Sequence, residues 1–179
     1  MTDLDYRAFW NSAFSWTDYL AREVREHRDL WLAVDARAEV PAWAVDEAAA
    51  LGEGWKLLVI SEDWCGDASN TVPVLAAFAA ASPGVELRVV KRDENEPLMD
   101  AYLTNGARSI PLAVVLDRDF RPVGRWGPRP SELQAYVLAE KKKGERPVEE
   151  IYRDVRRWYA RDRGESTIRE ILAVMKQGG

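Results

Sequence analysis

The stretch SEDWCGDASNTVP, Ser61 to Pro73, holds the only cysteine of a 179-residue chain at a change of hydrophobic pattern. Before it, Trp55 to Ser61 (WKLLVIS) is a nearly continuous apolar run, which suits a strand covered on both faces of a sheet. After it, Val72, Leu75, Ala76 and Ala79 recur with helical period up to Pro83-Gly84. Cys65 therefore falls where a strand ends and a helix begins. Free backbone N–H groups and the positive end of a helix dipole stabilise a thiolate at such a place. Three carboxylates within three residues of it, Glu62, Asp63 and Asp67, oppose that charge. The helix end contributes about 0.3 to 1 kcal/mol when exposed and ~2 kcal/mol when partly buried. A carboxylate at ~6 Å in bulk water repels a thiolate by roughly 0.7 kcal/mol. These effects nearly cancel, which leaves the direction of the thiol's pKa shift open.

Working outward, Leu20, Val24, His27, Trp31, Val34 and Ala38 fall at three- and four-residue spacing, the face of one long helix running from Thr17 to Pro41. AWAVDEAAAL, from Ala42, reads as a shorter helix. Beyond the cysteine segment, Val85 to Asp93 is a second strand, and EPLMDAYL, Glu96 to Leu103, is a helix closed by Thr104-Asn105-Gly106. LAVVLD and FRPVGRWG flank Arg118-Asp119 as a β-hairpin. Ser131 with Gln134 resembles a capping box, and Lys141 to Lys143 before Gly144 suit the negative end of that helix. Pro147 opens a further helix with Val148, Ile151, Tyr152, Val155, Trp158 and Tyr159 on one face, ended by Gly164. Thr167 and Glu170 are candidate caps for the last helix, whose apolar residues are Ile168, Ile171, Leu172 and Met175. The order strand, helix, strand, helix, strand, strand, helix is α/β with a mixed sheet. The length suits a single domain, 1–179, with a core at about 55–143 and helical extensions, 1–54 and 144–179, that pack onto it.

Composition narrows the function classes. The chain is 47% hydrophobic and 31% charged, as ordinary soluble globular proteins are. No apolar run approaches the roughly 20 residues of a membrane span, and the acidic start MTDLDYRAFW lacks the regions of a signal peptide, which points to the cytoplasm. A net charge of −5 offers nucleic acid little attraction. One cysteine excludes an intramolecular disulfide and suits a reducing compartment. No Cys/His cluster has zinc spacing, and no cofactor is implied. The eight tryptophans are expected as packing anchors, each with one partner for its indole N–H. KKKGER, Lys141 to Arg146, reads as a solvated helix end. His27 reads as a packed structural histidine. Ser69 and Thr71 are placed to donate to the sulfur or to first-turn backbone groups.

Trp64-Cys65-Gly66 matches the start of the thioredoxin motif Trp-Cys-Gly-Pro-Cys, from which Asp67 and Ala68 depart. Pro73 matches the proline that kinks the active-site helix of that family, Ser109-Ile110-Pro111 matches its cis-proline loop, and Gly127 follows the hairpin where thioredoxins keep a glycine. With these four features in order, Trp55 to Lys143 resembles the thioredoxin superfamily. The whole chain is similar to a bacterial subgroup with a Trp-Cys-Gly-Asp motif. The resemblance implies a thioredoxin fold, a central mixed sheet flanked by helices, with Cys65 as catalytic nucleophile beside a cis Pro111. It assigns thiolate stabilisation to the backbone of Gly66, Asp67 and Ala68, and substrate binding to Trp64, Ile110, Pro111 and Gly127. Ile110 would pair its backbone with an extended substrate. Ala68 stands where the resolving cysteine would be, so release of a mixed disulfide falls to an external thiol. Val59 stands where thioredoxins place a buried aspartate. Cys65-Gly66-Asp67-Ala68 is not the Cys-Gly-Phe-Ser of cluster-binding monothiol glutaredoxins, so no iron–sulfur cluster is implied. Arg108, Arg125 and Arg129 are expected near the cysteine, where they would hold an anionic thiol or neutralise Glu62, Asp63 and Asp67, the second role being the favoured one.

The leading expectation is a monothiol thiol-disulfide oxidoreductase serving cell redox homeostasis. Its substrate would be a protein or a low-molecular-weight thiol such as glutathione, with no nucleic acid or membrane involved. The alternatives are a non-catalytic thioredoxin-fold protein-binding module, with the aromatic-rich helical additions as interface, and a redox sensor oxidised at Cys65.

Overall fold

A computed structural model describes residues 4–178; the first three residues of the acidic start and Gly179 lie outside the described residues. In chain order the elements are α1 (Tyr6–Ser12), β1 (Phe14–Ser15), and α2 (Trp16–Asp18), which runs on as a π-helical turn, Tyr19–Glu23. Next come α3 (Arg28–Arg37), α4 (Ala42–Ala50), β2 (Trp55–Ser61), α5 (Gly66–Ala81), β3 (Val85–Lys91) and α6 (Glu96–Asp100). The chain continues through β4 (Leu112–Leu116), β5 (Pro122–Trp126), α7 (Ser131–Lys143), α8 (Val148–Asp162) and α9 (Glu165–Met175).

The five strands form one mixed sheet in the order β1-β3-β2-β4-β5. Strand β2 lies at its centre, parallel to β3 and antiparallel to β4. Every residue of β2 is buried, Lys56 and Ser61 included, in keeping with its nearly continuous apolar run. Alternate side chains feed two different cores, because successive residues of a strand point to opposite faces. Leu57 and Val59 join Trp31, Leu75 and Phe78 on one face. Leu58 and Ile60 join Trp10, Leu98, Met99 and Val114 on the other. Each such side chain contributes about 1.5–3 kcal/mol by leaving water. Val59 is fully buried among apolar neighbours, registered with Val89 and Ala113.

The C-terminal helices are held in two ways. Ile168, Ile171, Leu172 and Met175 of α9 enter the first core. Helices α7 and α8 share a small cluster of their own, Leu133, Val137, Ile151, Val155 and Tyr159. Trp10, Trp31, Trp55 and Trp126 are buried, and the indole N–H groups of Trp31, Trp55 and Trp126 reach Asp63 O, Leu51 O and Glu170 Oε2.

Several expectations change. The long helix from Thr17 is broken at Val24–His27, where His27 adopts a left-handed φ of 53° before α3 begins. Leu20, Val24, Trp31, Val34 and Ala38 still face the core. The break has a tertiary cause: Asp63 Oδ2 accepts the backbone N–H groups of Arg25 and Glu26, each at 2.8 Å, and Arg28 donates to the carbonyls of Leu20 and Val24. His27 is therefore exposed and not packed. The second strand stops at Lys91 because Arg92–Glu94 turns to offer the Asp93 N–H to Glu62 Oε1 at 3.0 Å. The hairpin turn is wider than Arg118-Asp119, with Asp117 Oδ1 accepting from the N–H groups of Asp119 and Arg121. Neither proposed cap forms. Ser131 lies inside α7 and bonds Glu170 through its N–H and hydroxyl, Gln134 accepts from Arg129, and Thr167 lies inside α9. Gly144 does end α7 in the left-handed conformation, at φ 65°. Helix α1 and strand β1 add to the expected elements; Asp5, whose carboxylate accepts the Ala8 N–H, is the signal that marks α1.

Candidate functional site

The chain leaves the central strand β2 at its C-terminal end, and Cys65 becomes the N-cap of α5. Its Sγ lies 3.4 Å from the Ala68 N–H donor and donates its own hydrogen to the Ile110 carbonyl, also at 3.4 Å. The Ile110-Pro111 bond is cis, and so is Gly127-Pro128. Gly127 has φ 117°, and a Cβ there would sit 2.3 Å from the Pro111 carbonyl oxygen. Only glycine lets the post-hairpin turn close against that loop. Ser69 and Thr71 donate to the carbonyls of Gly66 and Asp67, each at 2.8 Å, so their hydroxyls serve the helix.

The three carboxylates around the sulfur have three different fates. Glu62 is buried, which raises its pKa, and it accepts the Asp93 N–H. Asp63 faces the Arg25 and Glu26 N–H groups. Asp67 is clamped by Arg129, at 3.0 Å from Nε and 2.7 Å from Nη2, and accepts the Tyr159 hydroxyl at 2.8 Å. Burial works against the Arg129 charge, but Asp67 outweighs it and holds the guanidinium more basic than usual. Burial and then the Asp67 charge push the Tyr159 hydroxyl well above the usual phenol range, so it stays a donor. Arg129 alone of the three expected arginines neutralises one of these carboxylates. Arg108 instead pairs with Asp100 and Glu96, and Arg125 donates to the carbonyls of Tyr102 and Leu103.

Burial pushes the Cys65 thiol above its ordinary range. The Ala68 N–H pulls it back down, the Asp67 charge pushes it up again, and the Asp67 N–H and Arg129 pull it down. Burial is the leading cause and the one that a balance of helix dipole against neighbouring carboxylates leaves out.

Cys65 opens onto a cleft of about 760 Å³. Trp64, Gly66, Asp67, Ile110, Pro128 and Arg129 line its base. Its far wall comes from α7 and α8, through Val137, Leu138, Lys141, Tyr152, Val155 and Arg156, and His27 reaches it from the N-terminal side. Trp64 is 41% exposed, with the Arg92 guanidinium 4.8 Å from its ring centre. Ala68 is fully buried, and Pro111 and Gly127 stand behind the wall formed by Ile110 and Pro128.

A family model described as Thioredoxin matches residues 13–145, most of the chain. The chain belongs to the thioredoxin family. A comparison with curated proteins gives no match. Among solved structures, a protein of unknown function, PA1234 of Pseudomonas aeruginosa, is similar in fold, with a TM-score of 0.77 and 18% identity over 99% of this chain and 100% of that one. An HIV epitope-scaffold is similar at a TM-score of 0.74 and 20% identity, over 97% of this chain and 98% of its own.

Within this thioredoxin fold, sequence reasoning missed Tyr159, Lys141 and Arg156. The sequence puts Tyr159 only on the apolar face of its helix, and Lys141 within a solvated run. That run divides in the structure: Lys143 and Arg146 pair with Glu140, while Lys141 turns into the cleft and donates to the Tyr152 hydroxyl at 3.2 Å.

Proposed function

We propose that this protein is a monothiol thiol-disulfide exchange protein of the Trp-Cys-Gly-Asp kind, acting in the cytoplasm on a protein or low-molecular-weight thiol. The observation that carries the reading is the position of the Cys65 sulfur: N-cap of α5, 3.4 Å from the Ala68 N–H donor and 3.4 Å from the Ile110 carbonyl, at the base of a cleft. The Cys65 thiolate attacks one sulfur of a disulfide RSSR. A Cys65–SR bond forms, the S–S bond breaks, and RS⁻ leaves and takes up a proton. No second cysteine exists in the chain. An external thiolate then attacks the mixed disulfide and carries R away as a new disulfide, returning the electron pair to Cys65. The Ala68 and Asp67 N–H groups receive the thiolate at both ends of this cycle. A raised thiol pKa bears on both steps: it lowers the fraction of Cys65 present as the attacking thiolate and makes Cys65 a poorer leaving group from the mixed disulfide.

The test is turnover of a mixed disulfide by reduced glutathione, followed beside the Cys65→Ser variant. The expected result is catalysis that needs Cys65, with an adduct at that residue seen by intact mass. Equal rates for the two proteins would overturn the reading. The raised Cys65 pKa favours a second reading, a binding module in which Trp64 and the cleft hold a partner without turnover. That reading predicts full binding of the partner by the Cys65→Ser protein.

A further inference from the structure

The cleft is charged against the trend of the molecule. The chain carries a net charge of −5, yet the cleft is lined by Arg92, Arg108, Arg129, Lys141 and Arg156 and by one carboxylate, Asp67. Three of these cations are already matched: Arg92 by Asp93, Arg108 by Asp100 and Glu96, and Arg129 by Asp67. The other two are not. Lys141 meets the Tyr152 side chain, hydroxyl at 3.2 Å and ring centre at 5.2 Å, and among the described residues neither Lys141 nor Arg156 pairs with a carboxylate. Two unmatched cations on one wall, together with the exposed Leu138 and Tyr152 that line the same cleft, make a surface for an anion that also has an apolar part. Tyr152, Val155 and Arg156 lie beyond residues 13–145, so the α8 half of this wall is an addition to the part of the chain that the family model matches, while Leu138 and Lys141 belong to that part.

We propose that the cleft selects a small, carboxylate-bearing disulfide, with Lys141 and Arg156 taking its carboxylates while one of its sulfurs faces Cys65. The proposal rests on the exchange reading for the chemistry, but the recognition is separable from it. A volume of about 760 Å³ falls in the range of small-molecule pockets. The cations also explain how an acidic protein draws such a substrate in, since a basic concavity focuses the field that a net negative surface would otherwise set against it.

The experiment uses oxidised glutathione, which carries several carboxylates, and bis(2-hydroxyethyl) disulfide, which carries none. Binding to the full-length Cys65→Ser protein is measured by calorimetry, so that recognition is read without exchange. Oxidised glutathione is expected to bind saturably, more weakly as salt is raised, and roughly tenfold more weakly when Lys141→Gln and Arg156→Gln are added. The pair Lys141→Arg with Arg156→Lys keeps both charges and is expected to keep the affinity, which separates a charge effect from a folding defect. The proposal is overturned if oxidised glutathione binds no better than the neutral disulfide, or equally well after both charges are removed. Adduct formation by the wild-type protein is a separate arm. If the Cys65→Ser protein discriminates by charge and the wild type forms no adduct with either disulfide, the exchange reading fails and the recognition stands. If both disulfides react with Cys65 in the wild type at rates whose ratio ignores Lys141 and Arg156, the exchange reading stands and this one fails.

Discussion

Asp63 and Asp67 stand two residues to either side of Cys65, and each ties a different flanking region to the cysteine turn. Asp63 holds the N-terminal side by accepting two main-chain N–H groups from an exposed turn, with no cation involved. Asp67 holds the C-terminal side by a mostly buried ion pair with Arg129 and a hydrogen bond from Tyr159 of α8; the side chains of Asp67 and Arg129 are 12% and 13% exposed. The first tie needs an acceptor atom, the second needs a charge. The difference matters at the sulfur, because a carboxylate answered by dipoles and one answered by a guanidinium place different fields on the same thiol.

Replacing each carboxylate by its amide separates the two ties. Asp67→Asn leaves the Arg129 guanidinium buried without its counter-charge, and the expected loss is about 3 kcal/mol in urea unfolding. Asp63→Asn keeps an oxygen facing the Arg25 and Glu26 N–H groups, and the expected loss is about 1 kcal/mol, the difference between charged and neutral acceptors. Equal losses for the two variants would break the distinction between them.

The parts of the fold that were legible in the sequence are those whose pattern is local. Trp55–Ser61 reads as a strand covered on both faces because its run is nearly continuously apolar, and Gly144 reads as a helix end because a left-handed residue is wanted there. The break in the Thr17–Ala38 helix was not legible. Its apolar spacing is unbroken, and the carboxylate that opens it lies 38 residues from Arg25 along the chain. The site divides in the same way. Cys65, Ile110 and Pro111 announce themselves by motif, whereas the Asp67–Arg129–Tyr159 cluster spans separations of 62 and 92 residues. Lys141 looks like one of three solvated lysines until Tyr152 of α8 packs beside it on the same wall. Arg156 looks like one of many charged positions on an amphipathic helix.

The direction of the thiol shift was the quantity that local charges left undecided, and burial by the surrounding elements decides it. A raised pKa means that the thiolate is scarce at neutral pH and that reaction rates climb as the pH passes the ordinary thiol range, about 8.5. The most direct measurement is therefore the rate of Cys65 alkylation by iodoacetamide in the folded protein as a function of pH. One ionisation displaced upward from that of a free thiol, with full modification of the native protein on its alkaline side, is the result predicted here. A thiol that stays unmodified at every pH until urea unfolds the chain would contradict it.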